Sequence, residues 1–134
     1  MAAVTSIKNK AYMSKRVLIC DDDPDILSIC KYILEESGLE VHTRMTCNDI
    51  LEVIDEVCPD VILMDNWIPD TGGIIATRII KKHPVYSKIP VIYFSANTDI
   101  KLLAKDAGAD SYLAKPFDIN QLTTAVFTAS NQKL

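Results

Sequence analysis

Apolar positions along this chain gather into five short runs, each followed by a stretch where they recur every three or four residues. Val17, Leu18, Ile19 and Cys20 form the first run, Val61 to Met64 the third, and Val91, Ile92, Tyr93 and Phe94 the core of the fourth. Unbroken apolar runs of this length predict strands covered on both faces. The second segment, Val41-His42-Thr43-Arg44-Met45, alternates apolar with polar and predicts an edge strand with one wet face. Ser111-Tyr112-Leu113-Ala114 predicts a short fifth strand.

The segments between read as helices. Asp23 suits a cap and Pro24 a first turn, ahead of Ile26, Ile29, Cys30, Ile33 and Leu34 at helical spacing, with Ser37-Gly38 as the stop. Thr46 with Asp49 resembles a capping box, opening a helix whose apolar face carries Ile50, Leu51, Ile54 and Val57. Gly72-Gly73 turns the chain into a helix with Ile75, Ile79 and Ile80, ending near His83-Pro84. A fourth helix runs from about Thr98 to Ala107 and stops at Gly108. Asp118, with Gln121 three residues on, caps a last helix bearing Leu122, Val126 and Phe127.

A strand-helix unit repeated five times calls for parallel strands joined by right-handed crossovers. Centring the apolar strands one, three and four leaves two and five at the edges. The predicted fold is therefore an α/β doubly wound (βα)5 sandwich of three layers, flavodoxin-like, with sheet order 2-1-3-4-5. In that order the chain reverses direction between strands one and three, opening a crevice at their carboxyl ends. Asp21, Asp22 and Asp65 end those strands, and Ser95 and Lys115 end strands four and five on the same rim.

Composition narrows the class. The 134 residues suit one domain, with 49% hydrophobic and 24% charged residues, as in ordinary globular proteins. A net charge of −4 leaves no basic surplus to displace counterions from nucleic acid, and no helix-turn-helix pattern is present. No apolar run approaches a membrane span, and the N-terminus carries no secretory h-region, so a cytoplasmic location is expected. Cys20, Cys30, Cys47 and Cys58 match no metal or disulfide spacing and read as reduced thiols serving as small hydrophobes. Residues 1–14 show no sustained period and read as a flexible arm, native or added, ahead of a domain over 15–134.

Taken alone, Asp65 reads as a turn or helix cap. The three carboxylates together change that, because two unit charges ~4 Å apart cost ~4 kcal/mol at an effective dielectric near 20. Such a cluster needs a cation or retained protons. Oxygen-only donors with an open sphere suit Mg²⁺, whereas zinc would want His or Cys. With a metal present, Asp65 can act as a carboxylate nucleophile toward phosphorus, Lys115 can spread charge on the phosphoryl oxygens, and Ser95 can donate a hydrogen bond to them.

The segments Val-Leu-Ile-Cys-Asp21-Asp22-Asp23, Met-Asp65-x-x-Ile-Pro69, Ser95-Ala96 and Lys115-Pro116-Phe117, in that order and spacing, resemble a response-regulator receiver domain across about residues 15 to 132. The resemblance implies a two-component phosphorelay switch in which Asp65 takes phosphate from a phosphohistidine of a sensor kinase or phosphotransfer protein. It implies Mg²⁺ held by Asp22 and Asp65, with the Trp67 backbone carbonyl as third ligand and Asp21 acting largely through water. Tyr112 matches the family's aromatic switch. The implied partners are the phosphodonor and a downstream protein or output domain, with phosphorylation-dependent pairing of two copies left open, and no membrane or nucleic acid. The implied chemistry is a signalling switch that catalyses its own phosphotransfer and slow dephosphorylation.

Two features depart from the commonest pattern. Gly72-Gly73 replaces an acidic residue and glycine, and Trp67 is bulky where many members carry a smaller side chain. Trp67 and Asn97 are the residues placed to influence water at the site. Against the switch stand a haloacid-dehalogenase-type hydrolase, whose nucleophile belongs in a DxDx(T/V) motif that Asp21-Asp22-Asp23-Pro24-Asp25 lacks, and a binding module that takes no phosphate. On propensity alone Tyr112 is a half-buried packing residue, His42 and His83 are solvated, and the 101–105 run is a wet helix face.

Overall fold

A computed structural model describes residues 15–68 and 71–131; the predicted arm and Pro69 lie outside that range. The strands are β1 (Arg16–Cys20), β2 (Glu40–Arg44), β3 (Val61–Asp65), β4 (Val91–Ser95) and β5 (Ser111–Ala114). The helices are α1 (Pro24–Glu36), α2 (Ile50–Val57), α3 (Gly73–Lys82), α4 (Ile100–Ala107) and α5 (Ile119–Asn131), with a 3₁₀ turn at Tyr86–Lys88. All strand pairs are parallel in the order β2-β1-β3-β4-β5. The doubly wound arrangement follows from burial: every residue of β3 and β4 is buried, whereas only Val41 in β2 and Leu113 in β5 are.

Two apolar layers sandwich the sheet. Leu18, Ile62, Met64 and Tyr93 face α2, α3 and α4, meeting Ile54, Ala76, Ile80 and Ala104. Val17, Ile19, Leu63 and Phe94 face α1 and α5, meeting Leu34, Leu122 and Val126. Each large aliphatic side chain removed from water contributes roughly 1.5–3 kcal/mol. The cap chemistry is local. Asp23 accepts from Asp25 N–H at 2.9 Å ahead of Pro24, and Asp118 and Gln121 exchange reciprocal bonds at 2.9 and 2.7 Å.

The predicted capping box at Thr46 does not form. The helix starts later, at Ile50, and its cap Asp49 makes no capping bond through its side chain. Four residues expected on core faces are instead exposed: Ile29, Ile75, Ile79 and Phe127. The apolar stripes are wider than the sheet can cover, so α1 buries Leu27, Cys30 and Leu34, and α3 buries Gly73, Ala76, Thr77 and Ile80. Cys58 is also exposed, because it takes the left-handed conformation that closes α2. His83 is only half exposed: its Nδ1 accepts the Val85 and Tyr86 N–H groups at 3.0 Å, and its ring stacks on Tyr86.

At the amino end of β4 and β5, Lys81 is nearly enclosed. Its Nζ contacts Asp110 at 2.5 Å and donates to the carbonyls of Ser87 at 3.0 Å and Ile89 at 2.7 Å. Asp110 in turn accepts the Val91 N–H at 2.8 Å.

The α3 layer holds one polar exception. Thr77 is fully buried and its hydroxyl has no partner among the described residues. Replacing it by the near-isosteric Thr77→Val removes an unsatisfied group from the interior, so thermal unfolding is expected to show stability unchanged or raised by about 1 kcal/mol; a loss of stability would contradict the assignment.

Candidate functional site

Each candidate side chain is delivered by the end of a strand. Asp21 and Asp22 follow β1, Asp65 is the last residue of β3, Ser95 the last of β4, and Lys115 follows β5. Because β1 and β3 are neighbours, their terminal carboxylates are forced together: an oxygen from each of Asp21, Asp22 and Asp65 lies within 4.8 Å of the others. Asp21 and Asp65 are buried while Asp22 is exposed. Asp21, Asp22, Asp65, Trp67, Ser95 and Lys115 all line one open cavity of about 280 Å³.

Lys115 arrives from the far side of the sheet. Its Nζ donates to Asp21 Oδ2 at 2.8 Å and to Asp65 Oδ1 at 2.7 Å, and sits 4.5 Å from the centre of the Phe94 ring. Its backbone is tied to the rim by an N–H···O bond to Ser95 at 2.9 Å, and the Lys115–Pro116 peptide is cis. The remaining oxygens are also engaged. Asp65 Oδ2 accepts the Trp67 N–H at 2.9 Å, and Asp21 Oδ1 accepts the Asp23 N–H at 2.9 Å. Ser95, buried, accepts the Asn97 N–H on its hydroxyl at 3.0 Å.

Burial raises the Asp65 carboxyl above the ordinary aspartate range; the Lys115 bond opposes this and the Asp21 charge adds to it. Burial pulls Lys115 down, but its bonds to Asp21 and Asp65 prevail and its net shift is upward. One ammonium against three carboxylates leaves an excess of negative charge in a small volume. The donor set is oxygen only, hard, and open to solvent on the Asp22 side, which fits a divalent ion of the Mg²⁺ kind.

Tyr112 stands on β5 opposite Tyr93 and is half exposed, outside the carboxylate cluster. Trp67 is 75% exposed at the cavity mouth. Sequence reasoning missed two supports. At Gly73, a Cβ would lie 1.9 Å from the Asp65 carbonyl oxygen, so only glycine lets α3 start this close to the strand end. Tyr93, fully buried in β4, donates its hydroxyl to Asn66 Oδ1. The Gly72-Gly73 pair was a signal for the first; nothing in the local pattern of β4 distinguishes Tyr93 from a core aromatic.

Comparison with known proteins brings these features under one heading. Residues 17–127 match the family model described as the response regulator receiver domain. Among solved structures, a receiver domain protein (CheY-like) from Methanospirillum hungatei JF-1 is 28% identical, with TM-score 0.80 over 90% of this chain and 96% of that one. The signal receiver domain of a signal transduction histidine kinase from Syntrophus aciditrophicus is 25% identical, with TM-score 0.81 over 89% and 92% of the two chains. NtrX from Brucella abortus is 25% identical with TM-score 0.80; the match covers 90% of this chain but 28% of that one.

In metal-free protein, the raised Asp65 carboxyl loses its proton only at a pH above that of an ordinary aspartate. A ¹³C NMR titration of that carboxyl is expected to show this, and Lys115→Met, which removes the ammonium that favours the charged form, to move the midpoint further up. A downward move in the variant would refute this account of the charge balance.

Proposed function

The chain belongs to the response regulator receiver domain family, and from that premise we propose that it is a phosphorylation switch with Asp65 as phosphoacceptor. Membership implies two-component signalling and a switch rather than a conventional enzyme, which leaves no ground for the hydrolase alternative. The observation that carries the finer reading is Lys115 Nζ bridging Asp21 and Asp65, beside a third carboxylate, at the carboxyl ends of adjacent strands.

The donor is a phosphohistidine of a sensor kinase or phosphotransfer protein. An Asp65 oxygen attacks phosphorus, a P–O bond forms as the P–N bond breaks, and the leaving imidazole takes a proton. Asp22, Asp65 and the Trp67 carbonyl would hold Mg²⁺, with Asp21 contributing through water. The ion, when bound, neutralises charge on the transferring phosphoryl oxygens. Lys115 exchanges one carboxylate contact for a phosphoryl oxygen, and the buried Ser95 hydroxyl donates to another. Ser95 lies beside β5, so its displacement reaches Tyr112 and the face formed by α4, β5 and α5, where a downstream protein, an attached output domain or a second copy reads the state.

Acetyl phosphate with Mg²⁺ is expected to add one phosphoryl group by intact mass, and Asp65→Asn to add none. No gain in the wild type would leave a binding module without phosphorylation. Trp67, exposed over the cavity, screens the acyl phosphate from water; Trp67→Ala is therefore expected to shorten its lifetime severalfold, read as decay of the phosphorylated mass, and unchanged decay would remove Trp67 from that role.

A further inference from the structure

Tyr93 has no part in the phosphotransfer chemistry above, yet its hydroxyl is spent on the loop that carries it. The residue is fully buried in the middle of β4. Burial, reinforced by the Asp65 charge, pushes its phenol up to about 12, so it stays a neutral donor. Phenylalanine would fill the same apolar space with no polar group to satisfy, so packing alone does not call for the hydroxyl.

The recipient, Asn66, is held from two directions. Its side-chain Oδ1 accepts from Tyr93 Oη, and its backbone carbonyl accepts from Gly73 N–H at 3.2 Å. On one side it joins Asp65; on the other it joins Trp67, whose N–H donates to Asp65 Oδ2 at 2.9 Å. Fixing Asn66 therefore fixes both peptides of the turn. We propose that Tyr93, acting through Asn66, is a positioning residue for phosphoryl acceptance, holding the turn from Asp65 to Trp67 in the conformation from which the Asp65 carboxylate and the Trp67 carbonyl engage the cation. This inference rests on the reading of Asp65 as acceptor.

The test uses Tyr93→Phe, Asn66→Ala and the double variant. Mg²⁺ binding is followed through Trp67, the sole tryptophan and a residue of the cavity, and acetyl phosphate acceptance by intact mass. Tyr93→Phe is expected to bind Mg²⁺ about tenfold more weakly, as loss of an orienting partner of a metal ligand does, while melting no lower than wild type. Its slower phosphorylation is expected to recover when Mg²⁺ is raised by the same factor, which a general loosening of the fold would not permit. Asn66→Ala is expected to match it, and the double variant to be no worse than the weaker single, because both cut one connection. Wild-type Mg²⁺ binding in Tyr93→Phe, losses that multiply in the double variant, or a rate that excess Mg²⁺ fails to restore would each overturn the positioning role. A wild-type chain that neither binds Mg²⁺ nor takes phosphate would instead overturn the phosphoacceptor reading itself, and the role of Tyr93 with it.

Discussion

Crowding of like charge governs this molecule. The sheet order makes β1 and β3 neighbours, and their ends therefore bring Asp21, Asp22 and Asp65 within 4.8 Å of one another. At such distances the carboxylates repel one another, most where Asp21 and Asp65 are buried. The apolar layers on both faces of the sheet supply the stability that holds the strand ends in place. Lys115, 94 residues from Asp21 and 50 from Asp65 along the chain, offsets part of the repulsion. One ammonium against three carboxylates thus leaves the site under-neutralised, a balance that suits a divalent cation.

Most of this could be read from the order of residues, for identifiable reasons. A parallel strand buried on both faces must be apolar throughout, so β1, β3 and β4 announced themselves, and the alternating β2 announced an edge. The rim residues followed from where those runs stop. The helix faces were less legible. Ile29, Ile75 and Ile79 share helical spacing with buried neighbours, and only the breadth of the covering sheet decides which of them is enclosed. Thr46 failed as a cap because a capping pattern is a local signal, and the link from β2 runs four residues further before turning.

The supports of the site were the least legible of all. Gly73 and Tyr93 act through distances across the fold, one by leaving out a Cβ beside the Asp65 carbonyl and the other by reaching from β4 to Asn66. Neither leaves a periodic trace. A helix start with glycine and a strand with an aromatic are common for packing reasons alone, so sequence pattern identifies the residues that carry charge better than those that aim them.

The opposite pole of the sheet is built differently. There Lys81 binds Asp110 and two carbonyls, and Asp110 binds the first amide of β4. The starts of β4 and β5 are thereby riveted to the end of α3, while at their finishing ends the Lys115 N–H bonds the Ser95 carbonyl at 2.9 Å and its Nζ reaches Asp21 and Asp65. This pair of strands is therefore clasped by a lysine at each pole, Lys81 against Asp110 below and Lys115 against Asp21 and Asp65 above.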